Sequence, residues 1–123
     1  FDTELALDTL LKIKDSLSMI MARTSYIRTV DDFYMNDSGM ILLDSVCMKL
    51  VVVGEVIKKT RQNKNKELLL KYLAVNRKDI KGMRDIIVYH YFDIDANVIL
   101  YSLQKEVPDL YSTICIMLSN LSR

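Results

Sequence analysis

The residues most able to do chemistry lie between positions 84 and 91. This segment holds the chain's one histidine, His90, between Tyr89 and Tyr91, with Arg84 ahead of them. A guanidinium is a fixed cation that binds phosphate, and an imidazole can carry a proton near neutral pH. The segment could therefore bind a phosphodiester and move protons at it.

Helical spacing limits how these groups can cooperate. At about 100° per residue, Arg84 and His90 point in different directions from one ideal helix. They could act on the same atom only if the helix unwinds after Val88 or if a second chain supplies the partner. A purely structural role would instead pair the arginine with a carboxylate, such as that of Asp85, Asp93 or Asp95.

A second feature is Gly54 inside an otherwise apolar helical pattern, followed by Glu55. Glycine in a helix interior costs about 1 kcal/mol relative to alanine, so it usually permits another element to approach closely. Glu55 could then meet a cation such as Arg84 or a lysine. The alternative is a packing notch with no role for Glu55.

Basic residues form a third feature between positions 58 and 81. Such a run could follow a phosphate backbone, but runs of this kind also occur on solvated faces. Both interpretations stay open. The run comprises Lys58, Lys59, Arg61, Lys64, Lys66, Lys71, Arg77, Lys78 and Lys81.

Composition indicates one small domain over residues 1–123. Half of the residues are hydrophobic, 27% are charged and the net charge is +1, so any nucleic-acid binding must depend on a local patch. Three glycines and one proline argue against an all-β fold. Cys47 and Cys115 lie in apolar helical patterns, which predicts buried, reduced thiols. Without a signal-peptide pattern or a long apolar run, we expect a cytoplasmic protein that does not enter a membrane.

The elements that must position these residues are predicted to be helices. Apolar residues recur at steps of three and four over residues 2–23, and in a wider stripe over 39–60. A capping signal at 29–32 opens a short helix between them, and the segment 36–39 ends that helix and starts the next.

The second half of the chain continues the helical pattern. Residues 62–66 form a polar connection and 67–73 a short helix. Asn76 or Asp79 caps the helix that carries the motif. Asp93 or Asp95 caps a helix from 96 to about 106, and Pro108 lies in the first turn of a last helix ending near 121. Short links favour an up-and-down antiparallel bundle of four to five helices.

The order of these motifs resembles a known family. Residues 82–88 read Gly-Met-Arg-Asp-Ile-Ile-Val, and 90–95 read His-Tyr-Phe-Asp-Ile-Asp. Together they resemble the signature of HepT-like HEPN proteins, the toxin components of HEPN/MNT toxin–antitoxin systems. Residues 52–55 (Val-Val-Gly-Glu) and the lead-in over 71–84 are similar to the corresponding segments of that family, in matching order.

This resemblance implies a HEPN-like helical bundle that forms a homodimer and brings two motif copies into one cleft. It also implies a metal-independent endoribonuclease without a cofactor. Arg84 would hold the scissile phosphate of the RNA, and His90 would move a proton between the attacking hydroxyl and the leaving oxygen. Tyr91 would accept AMP from a cognate MNT-type nucleotidyltransferase antitoxin. Tyr89, Asp85 and Glu55 would have supporting roles.

The chain departs from the family pattern at one position. Relatives usually read Arg-x4-His-His-Tyr, whereas this chain has Tyr89 in the first histidine position. Phenols ordinarily titrate near pH 10 and imidazoles near pH 6.5, so a phenol is a poor proton carrier at neutral pH. Either His90 takes over after a local helix distortion, or the chain is a catalytically silent HEPN module that binds nucleotide or a partner protein. A helical interaction subunit that uses the stripe over 39–60 is a third possibility.

Overall fold

The computed structural model of the chain describes residues 3–60, 67 and 77–121, and these contain helices but no strand. The helices are α1 (Thr3–Arg23), α2 (Asp31–Tyr34), α3 (Asp37–Thr60), α4 (Arg77–Tyr89), α5 (Ala96–Tyr101) and α6 (Val107–Leu121). The turn Tyr91–Asp93 follows α4 as a short 3-10 helix, and the π-helical segment Ser102–Glu106 joins α5 to α6. The predicted all-α bundle is confirmed. Among the helices described, none is long and apolar enough to cross a membrane.

Two long helices carry most of the core, with the predicted bounds nearly unchanged. The buried residues of α1 recur at steps of three and four, as an amphipathic helix requires. They pack against α6 and α3. The buried face of α3 is broader, in agreement with its wide apolar stripe. It comprises Gly39, Leu43, Val46, Cys47, Leu50, Val53, Gly54, Ile57 and Thr60.

Short polar side chains cap α3 and α5, whereas α2 begins after Val30 without a side-chain cap and Asp32 instead holds the loop before it. Asn36 Oδ1 accepts a hydrogen bond from the Gly39 N–H at 2.8 Å and so begins α3, as predicted. The Asp32 carboxylate accepts from the backbone N–H groups of Arg28 and Thr29, which lowers its pKa. Of the two caps predicted for α5, Asp95 is the one that forms, since its Oδ1 accepts from the Asn97 N–H at 2.9 Å.

The predicted position of Pro108 in the first turn of the last helix is confirmed, since α6 begins at Val107, but α5 and α6 are joined by the π-helical segment without a loop. Pro108 has no N–H to donate to the carbonyl four residues earlier, so an α-helical hydrogen bond is lost there. One residue before the proline, the Val107 N–H donates to the Ser102 carbonyl five residues back, which is the hydrogen bond of a π-helix. The helix therefore continues through the proline.

Several sequence predictions lie outside the described residues. These are the polar connection over 62–66, the short helix over 67–73 apart from residue 67, and the cap at Asn76. Helix α4 is described from Arg77 onward, so Asp79 lies inside it and does not precede it. Of the basic run, Lys58 and Lys59 are exposed at the end of α3. The rest of the run falls on positions whose side chains are not described.

Both cysteines are free thiols, although only one is fully buried. Cys47 is 2% exposed, whereas Cys115 is half-buried. Burial, with a smaller contribution from the Asp44 carboxylate, raises the pKa of Cys47 to about 11. This thiol therefore stays protonated at neutral pH, which makes it a poor nucleophile.

Candidate active site

Helix α4 presents the motif because its opposite side is anchored in the core. Met83 and Ile87 lie one turn apart and are 7% and 3% exposed. The helix packs against α3 and against the π-helical segment, where the Ser102 hydroxyl lies 3.4 Å from Met83 Sδ. Arg84 follows Met83 directly, so the core contact fixes the point from which its side chain leaves the helix.

Gly54 makes room for the stem of Arg84. A β-carbon at Gly54 would lie 2.9 Å from Arg84 Cβ and 3.2 Å from its Cγ, closer than such atoms normally approach. The close approach predicted at this glycine is therefore confirmed. The side chain that approaches is Arg84, the residue predicted to bind phosphate. Helices α3 and α4 meet at this pair.

Two carboxylates hold the Arg84 guanidinium. Its Nε donates to Glu55 Oε1, and its Nη1 donates to Asp85 Oδ1 at 2.8 Å. The hydrogen bonds with Asp85 and with Glu55 raise the pKa of Arg84 above its usual value, so it is a permanent cation. Of the two sequence alternatives for Gly54, the one that gives Glu55 a cationic partner is correct.

These contacts leave part of the guanidinium open for a ligand. Arginine has five N–H donors, and the two described ion pairs use two of them. The side chain is 20% exposed, so solvent still reaches it. The carboxylates thus fix the orientation of the group without consuming its capacity to bind a phosphate.

The helix ends at Tyr89, which changes the direction of the residues after it. The His90 N–H still donates to the Ile86 carbonyl at 3.0 Å, but His90 has φ −126° and ψ 30° and leaves the helical path. The unwinding that the sequence required for cooperation with Arg84 therefore occurs, one residue later than Val88. His90 Nδ1 lies 3.8 Å from Asp93 Oδ1.

The predicted site residues fall into two groups within one subunit. Arg84, Glu55 and Asp85 form a half-buried ion-pair cluster between α3 and α4. Tyr89 ends α4, and His90 and Tyr91 follow it into the turn; all three are exposed, the two tyrosines by 74% and 54%. No hydrogen bond or ion pair between described residues joins His90 to Arg84. The structure brings the cation and its two carboxylates together, but it does not bring the imidazole to them.

Sequence reasoning missed a pocket beside the turn. Tyr91 and Phe92 face α2 and the first turns of α3 across an opening of about 190 Å³. Tyr34 and Asp44 also line it. The two consecutive aromatic residues after His90 could have indicated that Phe92 contributes to a binding surface. Tyr34 and Asp44 gave no such signal, because only the folded chain brings them beside the turn.

A comparison with protein families matches nearly the whole chain. The family described as "Ribonuclease HepT-like" matches residues 13–116. That range includes the Gly54 notch, both carboxylates, Arg84 and the exposed turn. No solved structure matches the chain.

Two curated relatives agree with that match. A protein of Methanocaldococcus jannaschii named "Gamma-glutamylcyclotransferase and putative RNase" is 29% identical over 111 residues, which cover 90% of this chain and 46% of the relative. A protein of Caldanaerobacter subterraneus subsp. tengcongensis named "Putative RNase" is 33% identical over 70 residues, covering 57% of this chain and 59% of the relative. The chain thus spans about half the length of the curated relatives it matches.

Proposed function

Because this chain belongs to the HepT-like ribonuclease family, we propose that it is a metal-independent endoribonuclease whose Arg84 and His90 act on one phosphodiester of RNA. The family match and the RNase names of two relatives support a ribonuclease. The observation that carries the finer proposal is the Arg84 guanidinium, held between Glu55 and Asp85 with donors to spare, six residues before an exposed histidine.

The proposed chemistry needs only groups of the chain and the RNA. The free N–H donors of Arg84 bind the non-bridging phosphate oxygens and stabilise the negative charge that grows on them. His90 takes the proton from the 2′-hydroxyl, whose oxygen attacks phosphorus. The bond from phosphorus to the 5′-oxygen breaks, and the protonated His90 gives its proton to that oxygen. The products are a 2′,3′-cyclic phosphate and a 5′-hydroxyl end.

We propose further that a second copy of the chain completes this site. Arg84 and His90 make no contact within one subunit, so a facing copy would supply the missing partner. Helix α3 also carries an uncovered apolar stripe, in which Ile41, Met48 and Val52 are 68%, 65% and 48% exposed. Val52 is three residues before Glu55, so this stripe borders the Arg84 cluster. An apolar face that adjoins an incomplete site supports a homodimer at this location.

We expect Met48→Lys to dissociate the dimer and to lower RNA cleavage with it, because a charged ammonium would replace the centre of the apolar stripe. Sedimentation equilibrium gives the mass, and a gel assay gives the cleavage rate. Met35→Lys is the matched control, since Met35 is 74% exposed and precedes α3. A Met48→Lys protein that keeps the mass of a dimer would contradict this interface.

We expect Tyr89→His to raise the rate of RNA cleavage by about tenfold or more, because it adds an imidazole where relatives have one, and general acid–base catalysis is worth about 10²–10⁴. Tyr89 is 74% exposed, so the change disturbs no core contact. Tyr101→His, on α5 at a tyrosine that is 59% exposed, should leave the rate unchanged. If neither the natural chain nor Tyr89→His cuts RNA, the endoribonuclease proposal is wrong.

Tyr89 also favours a second candidate function. With a phenol in the first histidine position, the chain could be a silent module that binds nucleotide or a partner protein through the same surface. Cleavage by Tyr89→His together with inactivity of the natural chain would select this candidate.

The proposed regulation acts through Tyr91. A cognate nucleotidyltransferase antitoxin would join the Tyr91 oxygen to the α-phosphate of ATP and release pyrophosphate. Tyr91 is 54% exposed on the turn, which allows an enzyme to reach it. The added phosphate places negative charge and bulk beside the site for the RNA phosphate, which opposes RNA binding. Mass spectrometry should find one adenylyl group on the natural chain after incubation with such an enzyme and ATP, and none on Tyr91→Phe.

A further inference from the structure

The turn after α4 carries an aromatic side chain that the fold does not use. Phe92 is 101% exposed, so it contributes nothing to the core, and a phenylalanine in that position loses the benefit of burial. Its ring centroid lies 5.9 Å from that of Tyr91, with the two planes at 76°. Both residues line one pocket, and two nearly perpendicular rings can offer a flat ligand one face and one edge.

The pocket behind these rings has room for one aromatic ring system. Its volume is about 190 Å³, and Tyr34 from the end of α2 forms another part of its wall. A cavity of about 150 Å³ in another protein admits a benzene ring, so this space can receive a flat heterocycle. RNA-binding proteins hold single bases in this way, by stacking them on aromatic side chains.

One carboxylate gives the pocket a chemical preference. Asp44 lines the opening and is exposed, and none of the salt bridges between described residues involves it. An ionised carboxylate can only accept hydrogen bonds. Among the four RNA bases, guanine offers it two adjacent donors, the ring N–H and the exocyclic amine. Adenine and cytosine offer an amine alone, and uracil offers a single N–H between two carbonyls.

The pocket and the Arg84 cluster are separate points along the same surface. Asp44 and Glu55 both lie on α3, and their positions differ by roughly 16 Å along the helix axis at 1.5 Å per residue. A base in the pocket therefore belongs to a different nucleotide from the one held at Arg84. Tyr91, which lines the pocket, is adjacent in sequence to His90, so the two parts of the surface meet at the turn.

We propose that this pocket binds one base of the RNA substrate, with a preference for guanine set by Asp44 and stacking supplied by Phe92. The proposal rests on the proposed ribonuclease function for the identity of the polymer. Base binding itself does not require cleavage. The pocket would thus be a subsite beside the motif that determines which RNA sequence the chain prefers.

Binding of mononucleotides to the natural chain tests the subsite without any need for cleavage. Calorimetric titrations with 5′-GMP, 5′-AMP, 5′-UMP and ribose 5-phosphate should rank GMP first and detect no binding of the sugar phosphate. Phe92→Ala should weaken GMP binding by about tenfold, through the lost stacking contact. Asp44→Asn should also weaken it by about tenfold and remove the advantage of GMP over UMP. Asp15→Asn, which removes an exposed carboxylate from α1, is the control and should change nothing.

The outcomes separate the subsite from the catalytic proposal. GMP binding that weakens by about tenfold in both pocket variants supports the subsite, whether or not the chain cuts RNA, and absence of GMP binding to the natural chain would overturn it. Equal GMP affinity in the natural chain and Phe92→Ala would overturn it, even if RNA were cleaved. A preference for AMP would also overturn it, and would indicate a pocket for the adenine of an adenylyl group on Tyr91.

Discussion

Arg84→Ala should reduce RNA cleavage by about 10²–10³, the usual effect of removing one preorganised donor that stabilises transition-state charge. The guanidinium is the fixed cation of the site, and it is already oriented by Glu55 and Asp85 before any RNA binds. The substitution also leaves those two carboxylates beside the phosphate position, so repulsion adds to the lost attraction. Single-turnover rates on an end-labelled RNA measure the loss.

Two further variants test whether the loss of activity is due to the guanidinium of Arg84 in particular. Arg84→Lys keeps the charge but cannot reproduce the planar fork that bonds Glu55, Asp85 and a phosphate together, so most of the activity should still be lost. Arg28→Ala removes an exposed arginine from the loop before α2 and should cut RNA at the natural rate. If the Arg84→Ala protein cut RNA as fast as the Arg28→Ala protein, Arg84 would have no part in the mechanism.

Gly54→Ala should both destabilise the fold and slow cleavage by about tenfold or more. The new methyl group would lie 2.9 Å from Arg84 Cβ, which is too close to be relieved by rotating a distal part of the side chain. Overpacking of this kind costs about 1–3 kcal/mol in free energy of unfolding. Relief of this conflict would displace the Arg84 side chain and its guanidinium. Misplacement of a catalytic group by about 1 Å can reduce a rate by about 10².

Gly82→Ala provides the matched control for that prediction. Gly82 also lies inside a helix, but a β-carbon there would meet nothing within 4 Å. Alanine should therefore stabilise α4 by about 0.5–1 kcal/mol without slowing cleavage. Urea denaturation and the RNA assay applied to both variants distinguish steric conflict from helix propensity. Equal stability gains in the two variants would show that the Gly54 notch is not tight.

The long helices were predictable because their signals are local. The apolar period gave the bounds of α1 and α3 to within two residues, and Asn36 marked the start of α3 as its side chain now shows. The junction at Pro108 was not predictable in the same way. A proline after a polar stretch is typical of a helix start, and only the hydrogen bond from Val107 to Ser102 shows that the helix continues.

The site was predictable in part, for a comparable reason. Gly54 indicated a close approach and Glu55 a cationic partner, so the sequence suggested the pairing with Arg84 across 29 residues. The pocket beside the turn depends on Tyr34, Asp44 and Phe92, which come together only through the packing of the turn against α2 and α3. No spacing rule connects them, because their separation along the chain carries no information about that contact.

Cleavage of a labelled RNA in the presence of a chelator tests the central claim most directly. The matched substrate is the same strand with hydrogen in place of the 2′-hydroxyl at the mapped cleavage nucleotide. If Arg84 and His90 direct that hydroxyl at phosphorus, the natural RNA will be cut to a 2′,3′-cyclic phosphate and a 5′-hydroxyl end, and the 2′-deoxy strand will remain intact. Equal cleavage of both strands, or cleavage that stops when divalent metal is removed, would contradict the account.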